Sequence, residues 1–267
     1  MKFEILTLIV GMLCFLSVGS APSAEGQVRI TVLYNNVSYK AGLQTDWGFA
    51  AWIEVGDKTI LFDTGAKGPI LLSNMGKLGL DPKEVDLVVL SHAHWDHTGG
   101  LSDFLERNPK VTIYLLGVFP ASLKKTVTDA GAQVVEVSGS QQICQGVFTT
   151  GRMGTAIPEQ SLLLETDQGT VVITGCAHPG IVEITREAKE VLDAPVYMIL
   201  GGFHLLRMDE KQTNEVVDEL KTLGVSKVGP SHCTGDQAIR AFRKTWQEDF
   251  VESGCGAEII LSSSRKQ

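Results

Sequence analysis

The chain has 267 residues, 43% of them apolar, enough for one large domain or two small ones with a sizeable core. Its net charge is −8 and its basic residues are scattered, which argues against nucleic acid as a partner, because phosphate binding needs a basic surface. The densest basic group, Arg240, Arg243 and Lys244, reads as the solvated face of a helix.

At the N-terminus Lys2 precedes an apolar stretch over residues 5–18, and the small-residue run Gly19-Ser20-Ala21-Pro22-Ser23-Ala24 follows. This is the layout of a secretory signal peptide cleaved at or near Ala24, which leaves residues 25–267 as a single exported domain. An uncleaved membrane anchor is the alternative, but the apolar stretch is short against the ~20 residues that span a bilayer. Loss of residues 1–24 removes Lys2 and Glu4 together, so the mature charge stays at −8, and leaves Cys144, Cys176, Cys233 and Cys255. In an oxidising compartment Cys144 and Cys255 could pair.

Alternation over residues 28–34 predicts an edge strand. Residues 47–55 and 59–63 read as a hairpin about Gly56-Asp57-Lys58, and residues 70–78 have helical spacing before Gly79. The apolar run 85–90 predicts a buried strand. Helices are expected over 101–107 and 120–130, with strands over 111–115, 134–137 and 146–150. A strand pair follows over 161–165 and 170–174, around Asp167-Gln168-Gly169. From there the chain alternates: helix 181–192, strand 196–200, helix 210–223, strand 225–228, helix 236–246 and a final strand 259–261. No short repeat, low-complexity tract or linker interrupts this, so one α/β domain of two packed sheets covered by helices fits best. The loops at 34–46 and 151–160 are candidate substrate walls.

Chemistry concentrates in the six histidines. Three fall in His92-Ala93-His94-Trp95-Asp96-His97, after the strand at 85–90 and before Thr98-Gly99-Gly100. Imidazole and carboxylate are the ligands that zinc- or iron-like ions prefer, and the C-terminal end of a strand is where open α/β sheets place their chemistry. His92 and His94 alternate across an extended backbone and can face the same way. Adjacent Asp96 and His97 point in different directions, which suits a second ion. Asp63, in Phe62-Asp63-Thr64-Gly65, reads as a carboxylate behind the ligands that orients a histidine, or as a plain strand-ending turn.

The form His-x-His-x-Asp-His, with the aspartate-threonine-glycine about thirty residues earlier, resembles the metallo-β-lactamase superfamily of metal-dependent hydrolases. Matching loops recur to the C-terminal region: Gly175-Cys176-Ala177-His178-Pro179-Gly180, Gly201-Gly202-Phe203-His204-Leu205 and Ser231-His232-Cys233-Thr234-Gly235. They look like one branch, which carries the name of dihydropterin-ribofuranosylaminobenzene-phosphate synthase although most of its members are hydrolases of unassigned substrate. The resemblance implies an αββα sandwich of two mixed β-sheets flanked by helices, with metals along the edge where the halves meet, and His232 as the final histidine ligand. Many members place a bridging aspartate just after the glycine at this strand end, where this sequence has Cys176. They also carry a histidine in the preceding loop, where Gly151-Arg152-Met153-Gly154 has none. His178 then takes the place of the missing imidazole, and Cys176 is a ligand, a gatekeeping thiol or a packed core cysteine. Cys233, like Cys176, is a candidate ligand or reactive thiol. His204 is either a proton donor to the leaving group or a buried hydrogen-bonded histidine. The helix start at Thr234-Gly235-Asp236 offers backbone amides to an anionic group of a substrate.

These features predict an exported metal-dependent hydrolase holding one or two divalent ions, zinc first, with iron or manganese as alternatives. Two ions about 3.5–4 Å apart can share a water and lower its pKa from roughly 15.7 towards neutrality, making the hydroxide that attacks an ester, thioester, lactone or phosphoester. Asp96 then holds the second ion or, beside a single ion, acts as a base. The partner is a small-molecule substrate. One alternative is the synthase activity of the branch, which belongs to cytosolic cofactor assembly and sits poorly with an export signal. Another is a non-hydrolytic metal-binding or redox protein centred on the cysteines. Fold kinship carries no substrate, so action on β-lactams stays open.

Overall fold

A computed structural model describes residues 26–263; the segment read as a signal peptide lies outside the described residues. The strands, in chain order, are β1 (Gln27–Tyr34), β2 (Ala50–Val55), β3 (Lys58–Phe62), β4 (Leu87–Val89), β5 (Thr112–Leu116), β6 (Gln133–Val137), β7 (Gln141–Cys144), β8 (Val147–Thr149), β9 (Leu162–Thr166), β10 (Gly169–Thr174), β11 (Val196–Gly202), β12 (Lys227–Ser231) and β13 (Glu258–Ser262). They form a seven-stranded sheet, β13-β1-β2-β3-β4-β5-β6, and a six-stranded sheet, β12-β11-β10-β9-β8-β7. Both are mixed. Hairpins make β1–β2–β3 and β7–β8–β9–β10 antiparallel, while β3–β4–β5–β6 and β10–β11–β12 run parallel because longer crossovers join them.

The period of two along each strand sorts side chains between layers. Ile30, Val32, Ile53, Ile60 and Phe62 of the first sheet pack against Leu162, Leu164, Val171, Ile173 and Leu200 of the second. The alternate residues, Leu33, Trp52, Leu61 and Val88, face helices α1 (Gly68–Leu78), α3 (Leu101–Arg107) and α4 (Ala121–Asp129). On the far side Leu163, Val172, Ile199 and Val228 face α5 (Ile181–Leu192), α6 (Glu210–Thr222) and α7 (Asp236–Trp246). The result is the αββα sandwich expected from the sequence. Helix ends follow local chemistry: α1 stops at Gly79, whose φ of 76° only glycine adopts without strain, and α6 begins with a capping box between Asp209 and Gln212.

Several expectations change. The strand at 28–34 is not an edge, because β13 pairs with its outer side and becomes the edge instead. Strand β7 and the four-residue helix α2 (Trp95–Thr98) were not expected. The strand expected at 225–228 is shifted to β12, since Val225 belongs to the turn after α6, where its amide bonds Leu220. Cys144 and Cys255 are both free. Cys255 is buried, with its thiol donating to the Leu33 carbonyl at 3.2 Å, while Cys144 packs at the margin of the core between the sheets. No helix among the described residues is long and apolar enough to cross a membrane.

Candidate metal centre

Every histidine lies just beyond a strand or in the short helix that follows one, and all lie at one edge of the sandwich. His92 and His94 follow β4, Asp63 follows β3, Cys176 and His178 follow β10, His204 follows β11, and His232 follows β12. These are C-terminal ends of parallel strands, where the last carbonyls and the loops diverge and leave a crevice.

Two donor clusters meet there. His92, His94 and His178 form the first, with donor atoms all within 4.8 Å of one another. The Nε2 of His92 is 3.1 Å from Nδ1 of His94, so the two do face one another. Asp96, His97, Cys176 and His232 form the second, again within 4.8 Å. Here His232 Nε2 stands 3.3 Å from Asp96 Oδ2, His97 Nε2 3.6 Å from the same oxygen, and Cys176 Sγ 3.3 Å from His97 Nε2. The expectation that Asp96 and His97 diverge is corrected: the backbone turns into α2 after His94, and the turn brings the two side chains together.

The surroundings prepare these donors. Asp63, fully buried, accepts from Ser91 N–H, Ser91 Oγ and His97 Nδ1, each at 2.7 Å. It thereby holds the His97 proton on Nδ1 and leaves Nε2 facing the cluster. Burial opposes a charge on His97, but Asp63 outweighs it and raises the pKa of this ring. His232 Nδ1 meets Asn36 Oδ1 at 3.1 Å, and the Trp47 ring covers its face with centroids 4.8 Å apart. Burial, with the neighbouring rings, pushes His92 well below the usual imidazole range. Burial likewise takes His178 down to about 4, against the pull of Glu159. Both are therefore neutral near pH 7, the form that ligates a metal. Burial would raise the Asp96 carboxyl, yet the close approach of His232 and the His97 charge hold it at about 2, so it is ionised.

Glu159 is a functional residue that no sequence motif marks. It is 1% exposed, and its carboxylate accepts from Thr174 Oγ1 and from the backbone N–H groups of Gly175, Cys176, Ala177 and His178 at 2.9–3.1 Å. It fixes the loop that presents Cys176 and His178. Its one signal in the sequence is an acid between Pro158 and Gln160, in a loop expected to wall the substrate. That part of the loop instead turns inward, with Gln160 bonded through its side chain to Leu90 O and through its backbone to Ser91 O. His204 is exposed, with its ring 4.3 Å from that of His178, and Cys233 lies beside it. The α7 start is less open than expected, because Leu206 lies over Gly235 and Asp236 puts its own carboxylate in the first turn.

The donor set suits a divalent metal on two counts. Imidazole, carboxylate and thiol are its ordinary ligands, and the Nε2 atoms of His178 and His232 are buried with no properly oriented hydrogen-bond partner. Such orphaned atoms are costly unless something else engages them. Fold and donors together are those of the αββα class, which is usually metal-dependent and hydrolytic. A family model for the metallo-beta-lactamase superfamily matches residues 48–232, and the chain belongs to that superfamily. This fold implies divalent metal binding.

Among similar proteins is the 7,8-dihydropterin-6-methyl-4-(beta-D-ribofuranosyl)-aminobenzene-5'-phosphate synthase of Methanocaldococcus jannaschii, 29% identical, with 86% of this chain and 95% of the relative covered. A solved metal-dependent hydrolase of the beta-lactamase superfamily superposes with a TM-score of 0.74 at 26% identity, covering 88% of this chain and 100% of its own. The metallo-beta-lactamase fold protein YhfI from Bacillus subtilis superposes with a TM-score of 0.64 at 14% identity, over 87% of this chain and 99% of its own, a likeness of fold alone.

Proposed function

We propose that the chain is an exported hydrolase of an ester, thioester, lactone or phosphoester bond. In this reading His92, His94 and His178 hold one divalent ion, and Asp96, His97, Cys176 and His232 hold a second. The observation that carries it is the pair of adjoining donor clusters at one crevice, with the buried His178 Nε2 left without a hydrogen-bond partner. When bound, such ions supply Lewis acidity and an activated water.

The protein's own groups do the rest. Asp63 keeps His97 in the tautomer whose Nε2 lone pair faces the cluster. Glu159 holds the 175–178 loop, so that Cys176 and His178 stay aimed into the crevice. Asp96 is ionised at neutral pH, the form that would hold the second ion or, beside a single ion, take a proton from an attacking water. Trp47, against His232, walls one side. Export rests on the layout of residues 1–24, and zinc on the mixture of nitrogen, oxygen and sulfur donors.

Turnover of generic ester and phosphodiester substrates by the metal-loaded protein tests the reading. The His92→Ala/His94→Ala double variant should lose at least one ion per chain and its turnover with it. Full metal content in that variant would sink the assignment. A second reading, a synthase, is supported by the archaeal relative, whose likeness spans most of both chains. Product formation from pterin precursors, with no turnover of any ester or phosphodiester, would favour it.

A further inference from the structure

Beside the two clusters stands a third group that neither uses in full. The sulfurs of Cys176 and Cys233 and a ring nitrogen of His204 lie within 4.8 Å of one another. Both thiols are free and buried, at 4% and 5% exposure, while His204 is exposed and closes the group on the solvent side. We propose that Cys176, Cys233 and His204 form a separate sulfur-rich ion site, which binds a thiophilic d10 ion, zinc or copper(I), at the mouth of the crevice.

The geometry needs little closing. Metal–sulfur bonds of about 2.3 Å and metal–nitrogen bonds of about 2.0 Å set tetrahedral donors roughly 3.5–4 Å apart. The donor type also differs from the neighbouring clusters: two sulfurs and one imidazole favour soft ions, whereas the histidine and carboxylate sets suit borderline ones. Three non-glycine residues in the loops that carry this group sit in the left-handed region, Ala177 at φ 59°, His204 at φ 56° and His232 at φ 50°. Such backbones cost on the order of 1 kcal/mol or more each and persist where the surroundings demand them, commonly at functional sites. Room for Cys233 comes from Gly202: a Cβ there would stand 2.6 Å from Cys233 Sγ. Cys176 belongs also to the Asp96 cluster, so its thiolate can bridge the two ions.

The test uses metal-free, reduced mature protein titrated with cobalt(II) as a spectroscopic stand-in for zinc, and separately with copper(I) against a chromophoric chelator. Thiolate-to-metal charge-transfer absorption and stoichiometry are the readouts. Cys233→Ser should bind one equivalent fewer and lose at least half of the charge-transfer absorption. His204→Ala, a change at an exposed position, should weaken that last equivalent at least tenfold and shift the band. The His92→Ala/His94→Ala protein should keep the two-sulfur signal, so that failure of the hydrolase reading and failure of this site can be told apart. Whichever ion survives mutual competition is the occupant. Unchanged stoichiometry and absorption in both Cys233→Ser and His204→Ala would overturn the proposal. Recovery of Cys176 and Cys233 as a disulfide, with no ion bound after purification without reductant, would do the same.

Discussion

Asp96 is reached by His97 and His232 and shares its cluster with Cys176, and what it contributes there is charge. Its pKa of about 2 lies below the usual carboxylate value of ~3.9. A depressed carboxylate stabilises the fold fully above its unfolded value, and that contribution is lost as pH falls through the folded one. Metal-free protein should therefore lose this contribution between about pH 4 and pH 2, and Asp96→Asn, which keeps the size, should flatten that part of the stability profile. In the metal-loaded protein the same substitution should cut turnover by about two orders of magnitude or more. Near-normal rates would refute its role. Glu159 makes a different demand, because four backbone donors and a hydroxyl share its two oxygens. Glu159→Gln turns one acceptor into a donor facing donors. A loss of about 3 kcal/mol or more in urea unfolding is expected, together with weaker metal retention. An unchanged unfolding midpoint would show that the loop holds itself.

At the scale of elements, α3, α5 and α7 match the ranges read from apolar spacing and from glycine and proline punctuation. Each buries one face, and for α3 that face is Leu101, Phe104 and Leu105. Phe104→Ala should cost about 3–5 kcal/mol of stability while leaving the metal content of the folded protein unchanged. Metal loss at full folding would mean that α3 positions the site directly. Helix α2 escaped because four residues carry no period. It exists because other parts of the chain take up its carbonyls: Phe49 N–H donates to Asp96 O, and Thr64 N–H and Oγ1 both donate to His97 O. Strand β7 escaped for a related reason, since Gln141 and Gln142 have no apolar alternation and only pairing with β8 orders them.

At the scale of the molecule, the order of segments leads to the αββα sandwich, and the N-terminal layout leads to a prediction about location. Protein secreted by a bacterial host should begin near Glu25, and N-terminal sequencing checks this. Intact Met1 on soluble cytoplasmic protein in the native host would overturn export and remove the objection to a synthase. Burial holds Cys144 and Cys255 up at about 11, so both should label slowly with alkylating reagents near neutral pH. Much of the site was legible in HAHWDH, Cys176, His178, His204 and His232, because ligand chemistry restricts residue type and clusters it after strands. Asp63 was legible as a carboxylate at a strand end. The fold class, the main helices and strands, and the inventory of donors are written in the chain order, since periodicity and ligand type are local properties. Three features arise only on folding: which donors share a cluster, the convergence of Asp96 and His97, and the clamp of Glu159 on the Cys176–His178 loop. Those depend on how five strand ends and their loops meet, contacts between residues up to 196 positions apart that no local pattern encodes.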